Sequence, residues 1–170
     1  VALVLAEGRH HLSLSDERFD VLQISGVDSY AGTAAAAHVF SENYLYTAEA
    51  FDLYLSRLNE GGIVNMMRLE LVPPREMLRV LVTAVEALRR AGVAHPAEHI
   101  LMVTASPERH FSALLVKRAP FTEAERRRLT EWASSNVHLA VSAAPGLGRD
   151  VSTYQAFLTL DDPRAERSFV

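Results

Sequence analysis

The sequence predicts an α/β protein in which a parallel β core is finished by an antiparallel hairpin. Two observations carry this reading. FDVLQIS at residues 19–25 and IVNMM at residues 63–67 are short apolar runs of strand length, and between them Tyr46, Ala50, Phe51, Leu53, Tyr54, Leu55 and Leu58 recur at helical spacing. A strand, a crossover helix and a second strand make a parallel pair buried on both faces. Further along, residues 100–104 and 111–117 are apolar runs joined by ASPERH, a connection too short for a crossover helix, so these two strands should be antiparallel.

The remaining elements follow in order. Residues 1–6, VALVLA, read as a buried strand, with Glu7-Gly8-Arg9 as a turn at its carboxyl end. Residues 13–18 are polar and lead into the 19–25 strand through a short helical turn, and Gln23 is expected to be a hydrogen-bonded polar group of the core. Gly26, Asp28 and Gly32 break the strand pattern into a loop, and the alanines at 34–37 form a small-residue turn or loop. The first long helix is expected to begin near Thr47 and to be stopped by Gly61-Gly62. Pro73-Pro74 open the next helix, with Met77, Leu78, Leu81, Ala84, Val85 and Leu88 on one face and Gly92 past its end. Thr122 and Glu125 form a capping box for a helix through Leu129, Trp132 and Ala133 to about Ser135. VHLAVSAAPGLG, at 137–148, reads as a loop-rich return, and residues 154–160 are a last apolar piece before a polar end.

The chain has 170 residues, 49% of them hydrophobic, enough for one domain with its own core. A core at residues 1–135 and a carboxyl-terminal extension at 136–170 are expected. The net charge of -4 argues against nucleic acid, and the one basic cluster, Arg126-Arg127-Arg128, reads as a solvated helix face. The absence of Cys excludes disulfides and thiolate metal sites. No apolar window reaches the roughly eighteen residues of a membrane span, and the opening VALVLAEGRHH does not have the form of a signal peptide, so a soluble, cytoplasmic segment is expected. A start without Met inside an apolar run reads as a segment cut from something longer.

In parallel sheets ligands gather at the carboxyl ends of the strands, which directs attention to Ser25, Asp28 and the flanking Tyr30, Glu42 and Tyr44, and to Glu7-Gly8. On residue chemistry alone, Glu7-Gly8 is equally a plain turn, Asp28 a loop-capping carboxylate, and Tyr30, Glu42 and Tyr44 packing and capping groups. His10-His11 has no acidic or His partner at metal-ligand spacing, and no metal site is expected. No Gly-x-Ser-x-Gly elbow, phosphate-binding P-loop or zincin motif is present.

Taken in order, Glu7-Gly8-Arg9, FDVLQISGVDSY, FSENYLYTAEAF, LNEGGIVNMMRL and ALLVKRAPFTEAE resemble the second half of a spermidine synthase-like protein over about residues 1–135. Ser41 to Thr47, SENYLYT, is similar to the bacterial branch that often carries this domain beside membrane-spanning helices. The resemblance implies a partial Rossmann-like class I methyltransferase fold whose amino-terminal strands, with the glycine-rich turn and ribose-binding acid, precede Val1. It implies a transferase that uses S-adenosylmethionine or its decarboxylated form as donor and no metal. The group moved is an aminopropyl or methyl group, and the acceptor is a small amine, as in polyamine biosynthesis. The parent would be attached to the inner membrane with this domain on the cytoplasmic side. Glu7, with Gly8, takes the place of the acid that meets the adenine amino group, Glu standing for the usual Asp. The transfer loop's Asp-x-x-Asp is Ser25-Gly26-Val27-Asp28 here, which keeps Asp28 as base or amine anchor and loses the first carboxylate at Ser25. Tyr30, Glu42 and Tyr44 would shape the acceptor pocket. The segment alone is expected to be inactive and to self-associate through its open sheet edge. The competing reading, favoured by Ser25, is a non-catalytic domain kept for binding, assembly or regulation.

Overall fold

The computed structural model describes residues 3–25, 43–70, 73–105, 111–160 and 169. Five strands, β1 (Phe19–Ser25), β2 (Leu58–Leu69), β3 (Ile100–Ala105), β4 (Phe111–Lys117) and β5 (Leu139–Ala143), form one sheet in the order β1-β2-β4-β3-β5. β1 and β2 are parallel, with Val21 opposite Ile63 and Ser25 opposite Met67. β4 lies between β2 and β3 and is antiparallel to both, as the short connection predicts. β5 corrects the reading of residues 137–148 as a loop-rich return, since Leu139 to Ala143 pair antiparallel with β3. Small residues such as Ala140 and Ser142 weaken the local strand signal, and the free edge of β3 supplies what local preference lacks.

The helices are α1 (Gly8–Leu14), α2 (Ala48–Ser56), α3 (Arg75–Arg90), α4 (Glu123–Ser134) and α5 (Thr153–Leu158). α2, α3 and α5 cover one face of the sheet. There Phe51, Tyr54, Met77, Leu81, Leu88, Tyr154 and Phe157 pack against Val64, Met66, Ile100, Met102, Leu114 and Val116. α4 covers part of the other face, where Leu129 joins Leu101, Leu115 and Phe121. The predicted helix starts agree. Thr47 caps α2 by accepting from the Ala50 N–H at 3.2 Å, Pro74 precedes Arg75, and Thr122 and Glu125 close their capping box. Thr47→Ala should cost about 1 kcal/mol, as loss of a side-chain N-cap usually does, and a urea denaturation midpoint would show it.

Three expectations are overturned. Residues 3–6 are not a strand: Leu3 and Leu5 are fully exposed, at 99% and 104%, and no described strand lies beside them to take their backbone hydrogen bonds. Gly61-Gly62 do not stop α2, which ends at Ser56 because the sheet takes the chain first, the Phe19 N–H donating to the Arg57 carbonyl at 2.9 Å. The two glycines lie inside β2, where the five steps from Leu58 to Ile63 face the two from Phe19 to Val21 and the extra residues bulge. Gly61 takes φ +76°, and Gly62 brings its backbone close to the Phe19 carbonyl. Arg126 is half-buried rather than on a solvated face, its Nη1 donating to the Pro145 carbonyl at 3.2 Å. Arg127 and Arg128 are exposed as expected. Among the described residues no helix is long and apolar enough to cross a membrane.

Candidate functional site

The strands β1 and β2 point their carboxyl ends the same way, and α2 runs back against them, so its amino terminus belongs to that end. The 3₁₀ turn Asn43–Tyr46 leads into α2 there, and α1 is tied alongside α2 at both ends. Arg9 Nη1 donates to the Tyr44 carbonyl at 3.0 Å, and Arg57 Nε donates to the Leu12 carbonyl at 3.2 Å. Glu7 thus sits with Tyr44 at the end where a parallel sheet holds its ligands.

Glu7 and Gly8 do not form the turn predicted for them. The Glu7 carboxylate accepts from the backbone N–H of Arg9 at 2.9 Å and of His10 at 2.7 Å, and this N-cap turns the chain into α1. Each carboxylate oxygen keeps a further lone pair. Gly8 is the first helical residue and has open space where a side chain would stand. The Tyr44 side chain is exposed, and its carbonyl accepts from Arg9. Tyr54 lies between these groups and the core. Its hydroxyl donates to the Leu45 carbonyl at 3.1 Å, and burial, with the Glu7 charge adding and Arg9 opposing, pushes its pKa up to about 12.

Ser25 closes β1 and is half-buried. Gln23 Nε2 donates to Ser25 Oγ at 3.3 Å, but Gln23 is exposed, not a core group. β1 pairs with β2 alone among the described strands, so α4 does not reach across to cover its Gln23 side. Asp28, Tyr30 and Glu42 lie outside the described residues, as do the alanines at 34–37. The structure therefore brings Glu7, Gly8 and Tyr44 together and sets Ser25 at the same end of the sheet.

Past Leu69 the carboxyl end of β2 carries a polar group that the sequence reading missed. Glu70 accepts from the Tyr154 hydroxyl at 2.7 and 2.6 Å on its two oxygens, and from Ser112 Oγ. Ser112 Oγ lies 3.0 Å from Thr104 Oγ1, which donates to Ser142 Oγ at 2.8 Å. Burial first, and then the Glu70 carboxylate, raise the Tyr154 pKa well above the ordinary phenol value. Arg68 lies 4.2 Å from the Tyr46 ring centroid and 3.7 Å from Glu76. A carboxylate directly after a buried strand was a usable signal for Glu70. Nothing local marks Tyr154, 84 residues away, as its partner.

His10 and His11 lie in α1, and among the described residues no group of three or more His, Asp or Glu is drawn together as metal ligands. No family model matches this chain, and a search of curated proteins finds no relative.

Proposed function

We propose that this chain is the distal part of a spermidine synthase-like transferase that moves an aminopropyl or methyl group to an amine-like acceptor. S-adenosylmethionine or its decarboxylated form would be the donor, and the sheet a partial class I methyltransferase fold. The observation that carries the reading is the β1-α2-β2 unit with parallel strands, followed by the antiparallel β3-β4 pair and with Ser25 at the carboxyl end of β1, where parallel sheets generally bind ligands. In the transfer, the acceptor nitrogen uses its lone pair on the carbon next to the sulfonium, the carbon–sulfur bond breaks, and the neutral thioether leaves. The nitrogen's proton passes to a base, for which the reading assigns Asp28, with Glu7 and Gly8 at the donor's adenine and Tyr30, Glu42 and Tyr44 around the acceptor.

In a longer chain that supplies the glycine-rich turn, Asp28→Asn should lower the turnover on a diamine about 100-fold, the scale of a lost general base, whereas Ser25→Asp should raise it. An unchanged rate in Asp28→Asn would remove Asp28 from the mechanism. A second reading, a non-catalytic domain for binding, assembly or regulation, is favoured by two observations: Ser25 is no base near neutral pH, and both Glu7 oxygens already cap α1. Donor binding without transfer in any variant would select it. Self-association fits either reading. Trp132, Phe111 and Val21 are exposed, and an apolar groove of about 280 Å3 between α4 and the sheet adjoins Trp132 and Phe111.

A further inference from the structure

We propose that the groove between α4 and the sheet is a binding site for a neutral aromatic ring bearing a hydroxyl, a phenol-class ligand paired with the side-chain amide of Asn65. The groove has a volume of about 280 Å3 and is lined from β2, β4, β3 and α4, with Trp132 and Phe111 among its walls. It uses neither Ser25 nor Glu7 and does not rest on the transferase reading.

The first ground is Asn65. It stands in β2 between Gln23 of β1 and Leu115 of β4, half-buried, and its Oδ1 is buried with no hydrogen-bond partner. A buried amide oxygen left unpaired is rare and costly. No hydrogen bond holds that oxygen in place, and the torsion about Cβ–Cγ is broad and two-fold, so either end of the amide can turn to the groove. A hydroxyl donates to the oxygen or accepts from the nitrogen, and so fits both orientations. Water is a poor occupant, because it needs about two to four polar partners and the groove offers little beyond Asn65. The Ser112 hydroxyl is already held by Glu70 and Thr104, and the backbones of β2, β4 and β3 are paired with one another.

The second ground is the lining. Among the described residues no charged side chain lines the groove, so a protonated amine or a carboxylate would lose its water and find no counter-charge. Met67, Val103, Leu115 and Leu129 supply apolar walls. Trp132 and Phe111 remain 55% and 42% exposed, and such rings favour an aromatic guest, which they meet edge to face or offset. The volume is small for a ligand site and suits a single ring with short substituents.

The test is a titration of the full 170-residue chain with p-cresol, followed by amide NMR, with toluene and 4-methylbenzylammonium chloride as controls. The indole N–H of Trp132, the one tryptophan of the chain, gives a single reporter signal at the groove. Saturating shifts are expected with p-cresol at that signal and at the amides of Met67, Leu115 and Leu139, and none with the ammonium. Asn65→Leu removes the buried unpaired oxygen and keeps the size of the side chain, so it should fold. It should weaken p-cresol about tenfold and leave toluene no weaker than before. Trp132→Ala, at a half-exposed position, removes a wall and should weaken p-cresol and toluene together, which decides the location even if Asn65→Leu fails to fold. Five outcomes overturn the proposal: shifts that do not saturate, equal binding of the ammonium, equal loss of p-cresol and toluene in Asn65→Leu, no loss of p-cresol there, or unchanged affinities in Trp132→Ala. The same shifts produced by raising the protein concentration alone would show a second copy in the groove and would overturn it too. Because the probe is neither an amine nor a donor of groups, failure here leaves the transferase reading standing, and success does not depend on it.

Discussion

Glu125→Ala should destabilise the chain by about 2–3 kcal/mol, below the full scale for a buried ion pair because only Lys117 is buried and the Glu125 side chain is 37% exposed. The Lys117 side chain is only 5% exposed, its Nζ lies 2.5 Å from Glu125 Oε1 and 5.1 Å from the Phe121 ring centroid. Removing the carboxylate strands that ammonium in the core and opens the capping box, since Glu125 also accepts from the Thr122 N–H at 2.8 Å and from its hydroxyl at 2.9 Å. Burial pulls the Glu125 pKa up, but the hydrogen bonds from Lys117 and Thr122 outweigh it and leave the group below its ordinary value. A depressed folded pKa means that this stabilisation is present above the unfolded-state value near 4.3 and is lost as pH falls through the folded one. Urea unfolding at neutral and acid pH measures both effects. A Glu125→Ala variant with an unchanged midpoint at pH 7 would show that Lys117 reaches water. Lys117→Met in the same background should restore much of the loss, because it removes the unpaired charge while keeping the packing.

The second large effect is expected from Gly62→Val, at about 2–3 kcal/mol, the upper range for overpacking. A Cβ at Gly62 would stand 2.8 Å from the Phe19 carbonyl oxygen and 3.1 Å from both the Asn59 carbonyl oxygen and Leu58 Cβ. The nearest of these is strand backbone, which moves only if β1 and β2 part at their start. Gly61→Ala is the matched control: its Cβ would meet open space, and only φ +76° opposes it, at about 1 kcal/mol. Thermal unfolding ranks the two variants, and amide exchange at residues 21–25 shows whether β1 has loosened. Equal stability in both would mean that the bulge yields without cost. The variant bears on the site as well, because the β1–β2 register places Ser25 opposite Met67.

α3 shows how far a local pattern reaches. Its apolar positions, with Pro74 before it and Gly92 after it, specify a face that finds any apolar sheet, and the predicted face is the buried one. The capping box of α4 is equally self-contained, since donor and acceptor lie three residues apart. Strand direction at β3 and β4 was also legible, because the five residues 106–110 that separate the two strands in sequence are too few for a crossover helix. Glu7 illustrates the opposite case for function: its place before Gly8 was noticed, but whether a carboxylate caps a helix or faces a ligand depends on the path of the next three residues.

By itself, then, the amino-acid sequence determined the elements whose cause is local. These are the periodic helices with their caps, the two parallel runs with a helix between them, and the hairpin set by a short connection. Tertiary structure decided whatever depends on a partner distant in the chain. Residues 3–6 have the composition of a strand and no described strand beside them, while Leu139 to Ala143 lack a strong strand signal and pair with the open edge of β3. Gly61 and Gly62 resemble a helix stop until β1 arrives to require a bulge. Glu70, Ser112, Thr104, Ser142 and Tyr154 form one polar cluster only because four strands and α5 bring them together. A backbone hydrogen bond or a carboxylate is satisfied by whatever the fold places within about 3 Å of it, and distance in space is not written in the spacing of residues along the chain.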